Sequence, residues 1–195
     1  MGKIPINRKQ ALELLQSMHQ GDADMLHYIE TEAVMKALAE RFKEDTERWG
    51  MLGLLHDIDW TFTKNNQQEH CIKAVEILQK AGFATEEIEI IQSHGYGCKE
   101  IPALMEKKRS KKIEFALASA ETVTGLIYAY ALMRNRTISG MEVSGLRKKF
   151  KDKKFAAGCS REVIAEIENT GLTLEEFFQI SIDALTKIKH ALGLQ

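Results

Sequence analysis

A chain of 195 residues can bury one sizeable core without disulfide or metal support, and 44% hydrophobic with 28% charged residues is ordinary globular composition, which argues against disorder. With 27 Lys and Arg against 28 Asp and Glu the net charge is −1, so no global field draws the chain to nucleic acid or to a membrane surface. Cys71, Cys98 and Cys159 show no C-x-x-C pairing and, being odd in number, make no disulfide framework; a reducing cytosol fits them best.

Alternation of apolar and polar residues is absent, whereas 3.6-residue spacing recurs along most of the chain, and only Pro5 and Pro102 interrupt it. An all-α fold is expected. The opening stretch MGKIPINRKQALELL has no apolar core of signal-peptide length. Helices are expected over Asn7–Gln20, Ala23–Arg41, Thr46–Asp57, Gln67–Lys80, Glu86–His94 and Lys99–Lys107, followed by Lys112–Met133, Gly140–Phe150, Arg161–Asn169 and Leu174–Leu192. Asn66 with Glu69, and Thr173 with Glu176, have capping-box spacing. Gly82, Gly95 and Gly171 sit where helices could end in a left-handed residue. The longest apolar run, Gly125–Met133, is about half of what a membrane span requires, so a cytoplasmic protein without a membrane partner is expected. No internal repeat or linker is evident. One domain over 1–195 is expected, with a core over about 20–135 and a C-terminal helical extension over about 140–195; the weakest join is Asn135–Gly140.

The stretch GLLHDIDW, Gly53–Trp60, places imidazole and carboxylate together where a buried helix should end, an uncomfortable pair unless it is hydrogen-bonded or holds a metal. Hairpin arithmetic extends the cluster. At about 1.5 Å per residue the helix carrying His27 climbs roughly 20 Å beyond it, and an antiparallel successor descends most of that distance to His56. The same geometry would bring His70 to His94. A further ligand would have to come from Glu121, a lone acid in ALASAETVTGLIYA. Each residue has a bland reading: His56 and Asp57 as a helix-terminal hydrogen-bond pair, Glu121 as partner of a nearby lysine, and His19 and His190 as ordinary surface or core histidines. Together, imidazoles and carboxylates are a ligand set for Fe, Mn, Zn or Ni.

His27, then His56-Asp57 in LLHDIDW, then AGFATEEIEIIQSHG, a late acid in SAETVTGLIYA and the segment KDKKFAAGCSREVI resemble, in this order, the HD-domain superfamily of metal-dependent phosphohydrolases, HDIG-type members included. The similarity runs from about Met25 to Arg161. It implies an all-α HD-like helical bundle with a divalent metal on His27, His56, Asp57 and the late acid. In members holding two ions it implies two further histidines, where His70 and His94 stand. The late ligand is normally aspartate, so Glu121 alters reach and rotamer.

With one or two ions bound, hydrolysis of a small phosphorylated metabolite or nucleotide is expected, with Asp57 as bridging carboxylate. Asp59 would act as general base or orient a ligand histidine, or else cap the next helix. Lys73, three residues after His70, is the candidate substrate contact. The basic runs Glu106–Lys112 and Arg147–Lys154 could hold a polyanion but lack interleaved aromatics, so nucleic-acid binding is not expected. Two other readings stand beside hydrolysis: a diiron oxygenase of the same fold, kept alive by His70 and His94, and a binding module that lost the reaction, suggested by Glu121. A homo-oligomer is left open.

Overall fold

The computed structural model describes residues 4–195, which form helices joined by turns, with no strand among the described residues. The all-α expectation is met. Helix α1 (Arg8–Ser17) opens on a reciprocal cap in which the Asn7 side chain accepts from the Gln10 N–H at 3.0 Å and Gln10 reaches back to the Asn7 N–H at 2.8 Å. It stops before the expected Gln20 because His19 turns left-handed, with φ 57°. Helix α2 (Asp22–Phe42) ends on a left-handed Lys43, and α3 (Thr46–Leu55) begins under Asp45, whose carboxylate accepts from the Arg48 N–H at 3.0 Å. The short α4 (Trp60–Thr63), then α5 (Lys73–Lys80) and α6 (Thr85–Gln92), lead to α7 (Lys112–Met133). After it come α8 (Val143–Lys151), α9 (Arg161–Ala165) and α10 (Leu174–Lys187), the last opened by the capping box expected from Thr173 and Glu176.

Helices α2 and α3 form the hairpin that the histidine spacing anticipated. A Cβ on Gly53 would lie 2.9 Å from the Thr31 carbonyl oxygen, so only glycine lets α3 settle this close to α2. That approach brings the C-terminal end of α3, with His56, down onto His27. Helix α7 runs through the centre and packs on α2, α3, α6, α8, α9 and α10. By length and composition alone α7 could cross a membrane, with mean hydropathy 1.3, a property that the shorter run Gly125–Met133 does not reveal; 61% of that apolar window is buried inside the bundle. Leu146, Phe177, Phe178 and Leu185 from the C-terminal helices share one apolar core with Leu38, Leu54 and Leu117. The join at 135–140 is tied down, since the Arg134 guanidinium donates to the carbonyls of Thr137, Ile138, Ser139 and Gly140, and the Ile138 N–H donates to the Gln195 carbonyl at 2.8 Å.

Several local expectations fail. Lys99–Lys107 is not a helix but a run of tight turns, with bonds from the N–H of Ile101 to Cys98, Leu104 to Ile101 and Lys107 to Leu104. Pro102 lacks the N–H a helix needs and disfavours helical geometry at Ile101, while Ile101 and Leu104 still bury their side chains. The helix expected over Gln67–Lys80 is broken: Gln67–Glu69 is one 3₁₀ turn, His70 is extended, Cys71 is left-handed at φ 64°, and the α-helix starts only at Lys73. Asn66 accordingly makes no side-chain cap bond. Gly95 is not left-handed and lies in a 3₁₀ turn, Ser93–Gly95, whereas Gly82 and Gly171 do take positive φ.

Glu30, on α2, is 4% exposed and its Oε1 has no partner among the described residues. Burial raises its pKa to about 8 from an ordinary value of 4.5. The unfolded chain therefore loses this proton first as pH rises, and the native state should lose stability from about pH 4.5 up to about pH 8, then no further. At up to about 1.4 kcal/mol per pH unit this is on the order of a few kcal/mol. Glu30→Gln should match the parent protein in urea unfolding at pH 4.5 and exceed it by pH 8; a constant difference across that range would contradict the assignment.

Candidate metal centre

Four histidines converge at one end of the bundle. His27 Nε2 lies 3.2 Å from His56 Nε2, and His70 Nε2 lies 3.2 Å from His94 Nε2. The Asp57 Oδ1 atom sits between the pairs, 3.5 Å from His56 Nε2, 3.3 Å from His70 Nε2 and 3.1 Å from His94 Nε2. Sequence reasoning placed all five residues together, and the structure gathers them.

The other face of each ring explains the orientation. His56 Nδ1 is 2.8 Å from the Gly53 carbonyl and His94 Nδ1 is 2.6 Å from the Ile91 carbonyl, each three residues earlier in its own helix. His70 Nδ1 is 2.9 Å from Asp59 Oδ1. His27 Nδ1 is 3.2 Å from the Thr124 hydroxyl, which itself donates to the Glu121 carbonyl at 2.7 Å and so can accept from the ring. With acceptors at every Nδ1, each ring can keep a proton there and offer its Nε2 lone pair to an ion. Neutral rings so arranged would turn four nitrogen donors and a carboxylate toward one space.

The spacing suits an ion. Two nitrogens each about 2.1 Å from a single ion, at tetrahedral to octahedral angles, stand about 3.0–3.4 Å apart. Without an ion the cluster carries its positive charge as protons on His70 and His94, which an ion would displace. Burial pushes the Asp57 carboxyl up, but His56, His70 and His94 outweigh it and hold Asp57 well below the usual carboxylate range. Burial also works against charge on His70 and His94, yet Asp57 and Asp59 raise His70, and Cys71 with Asp57 raises His94, above the usual imidazole range. His56, with burial as the chief cause, is pushed down to about 3.

The turn that carries Asp57 is braced from below. Gln20 donates to the Ile58 carbonyl at 2.9 Å and accepts from the hydroxyls of Tyr28 and Thr61 at 3.0 Å and 2.5 Å, and Tyr28 also lies 3.2 Å from the Asp57 carbonyl. Asp59 is fully buried with both oxygens committed, Oδ1 to His70 and Oδ2 accepting the Ala74 N–H at 3.0 Å. Of its three expected roles the geometry matches two, orienting a histidine and capping the first turn of α5, and Asp59 is not among the residues that line the cavities. Asp59→Asn should therefore weaken metal binding by about 10- to 100-fold in a chelator competition. An unchanged affinity would mean that His70 needs no such support.

Of the two remaining expected site residues, one stands apart from the cavity and one lines it. Lys73 pairs with Glu69 at 2.5 Å and is not among the residues lining the cavities beside the histidines. Helical i, i+3 spacing from His70 does not apply, because Cys71 breaks the helix between them. Glu121 lines the cavity with His27 and His94, but its carboxylate accepts from the adjacent Thr122 hydroxyl and lies in neither group of donors gathered within 4.8 Å. Its extra methylene lets it fold back along α7, and burial raises its pKa.

Other residues at the site gave no signal in the sequence. Cys71 Sγ lies 3.4 Å from His94 Nε2. Arg109, inside a run that reads as solvated surface, is a buried clamp that donates to the carbonyls of Ser93, His94 and Tyr96 and pairs with both Glu166 oxygens. Arg161 similarly gathers the carbonyls of Phe150, Ala156, Cys159 and Asp152. It thereby shapes the segment whose Gly158, Cys159 and Ser160 wall a cavity of about 830 Å³ next to His27 and His94.

A sequence model of the family described as HD domain matches residues 25–123, half of the chain. The chain belongs to the HD domain family. This is the superfamily of metal-dependent phosphohydrolases, and the match spans His27, His56, Asp57, His70, His94 and Glu121. No curated protein and no solved structure matches the chain. Residues 158–166, which complete the cavity wall of this HD domain protein, lie beyond the matched region.

Proposed function

We propose that this HD domain protein hydrolyses a phosphate ester of a small metabolite or nucleotide with one or two divalent transition-metal ions. The observation that carries the reading is the inward convergence of four imidazole Nε2 atoms on Asp57 at the edge of an open cavity. His27, His56 and Asp57 would hold one ion, and His70 and His94 with Asp57 a second. A divalent ion supplies Lewis acidity that polarises a phosphoryl oxygen and acidifies water. The protein's part is orientation: Gly53, Ile91, Asp59 and Thr124 fix the ring planes, and Asp57 neutralises charge between the two pairs. Lys99, which lines the cavity, would contact the phosphate in place of Lys73.

The protein loaded separately with Mn²⁺, Fe²⁺ and Zn²⁺ should release phosphate or open a phosphodiester on a panel of nucleotides, sugar phosphates and cyclic phosphates, and His56→Ala should remove that release. No turnover on any member, with metal bound, would overturn the reading; nucleotide binding by a protein that takes up no metal would favour a binding module instead.

One observation favours a second reading, oxidation of an uncharged substrate by a diiron pair. Arg109 spends its donors on Glu166 and backbone carbonyls, while Glu100, Glu121, Glu162 and Glu166 line the same cavity, so little positive charge faces a phosphate. Substrate-dependent uptake of O₂ by the iron-loaded protein, without phosphate release, would select it.

A further inference from the structure

We propose that Cys71 contributes a thiolate to the ion held by His70 and His94, making one half of the centre a sulfur-containing site and leaving the His27, His56 and Asp57 half with nitrogen and oxygen donors. This deepens the reading of the histidine cluster as a metal centre and rests on it.

The donor atoms of His70, Cys71 and His94 lie within 4.8 Å of one another. An ion bound at about 2.3 Å to sulfur and about 2.05 Å to nitrogen, at angles from 90° to tetrahedral, places those two atoms about 3.1–3.6 Å apart; the Cys71 Sγ to His94 Nε2 distance is 3.4 Å. The backbone is arranged to deliver the sulfur there. Cys71 adopts φ 64°, a left-handed conformation unusual for a residue with a side chain, and its carbonyl is held by the Gln92 side chain at 3.0 Å. This kink, which breaks the expected helix, lets consecutive residues 70 and 71 both reach His94. Gly95 supplies the room, because a Cβ there would stand 2.8 Å from Sγ. The side chain is fully buried with Ile101 and Leu104 around it. Such a sulfur could be an inert core thiol, but then it would not need a strained backbone to meet a ligand imidazole.

On binding, the S–H bond breaks, its proton leaves to solvent, and a sulfur lone pair is donated to the ion; no oxidation state changes. A half-site with thiolate selects Zn²⁺, Fe²⁺ or Co²⁺ over Mn²⁺ and Mg²⁺, whereas the other half is built for harder ions.

Cobalt(II) titrated into the metal-stripped full chain reads this directly. A near-ultraviolet sulfur-to-cobalt charge-transfer band should appear beside the visible ligand-field bands, vanish in Cys71→Ser, and persist in Cys98→Ala and Cys159→Ala. Zinc affinity of Cys71→Ser should fall at least about tenfold. Ligand-field bands without charge transfer in the parent protein would overturn the thiolate assignment and leave the histidine centre standing; absence of both would overturn the two together. Should Cys71→Ser not fold, zinc-edge X-ray absorption of the parent protein decides, with sulfur at about 2.3 Å expected and a shell of nitrogen and oxygen alone excluding it.

Discussion

Asp57→Asn is expected to bring metal-dependent turnover down to that of the metal-free protein while leaving the helical bundle folded. Asp57 Oδ1 is the atom shared by the histidine pairs, within 3.5 Å of three Nε2 atoms. Asparagine keeps the shape and the oxygen but removes the carboxylate charge shared by both histidine pairs, so a divalent cation would lose its central counter-charge. The effect should be seen in two places: metal content by mass spectrometry falls, and phosphate release on the best substrate disappears. Far-ultraviolet circular dichroism should be unchanged, because the Asp57 backbone contact to Tyr28 does not involve the carboxylate. A variant that keeps its full metal content and its rate would show that the ion sits elsewhere.

The second large effect is on stability. Arg109→Met should cost about 1–3 kcal/mol, as expected when part-buried acceptors lose their donor, and lower Tm by about 2–12 °C for a chain of this size. The Arg109 side chain is 6% exposed, and its guanidinium holds both oxygens of Glu166 and the carbonyls of Ser93, His94 and Tyr96. Removing it leaves those acceptors without a donor at the segment that carries His94, so metal affinity should fall as well. Arg109→Lys should rescue little, since one ammonium cannot span a carboxylate and three carbonyls in different directions. A variant within about 1 °C of the parent protein, measured by calorimetry on metal-stripped samples, would show that the clamp carries no such load.

What was legible in the sequence was what repeats locally or follows from helix length. The Thr173–Glu176 box, the long α7 and the end-to-end meeting of His27 with His56 all follow from 3.6-residue spacing and a rise of about 1.5 Å per residue. The gap between the two rings is 29 positions in the chain, yet it is bridged by one hairpin, so counting along two helices suffices. His70 and His94 yielded to the same count even though the helix expected through His70 is broken, because each ring still sits where the hairpin ends meet.

The sequence by itself determined the helical class and brought out the five residues His27, His56, Asp57, His70 and His94 as one cluster. Only the tertiary structure decided which neighbours serve them: Asp59 as the anchor of His70, Cys71 turned inward, Lys73 paired away from the cavity, the Glu121 carboxylate turned to Thr122 on the cavity wall, and Arg109 drawn from a basic run into the interior. The physical reason lies in the range of the forces. Helix formation and capping are settled within about four residues, whereas a side chain's direction depends on a backbone torsion at one residue and on acceptors up to 57 positions away, as for Arg109 and Glu166, which no local pattern encodes.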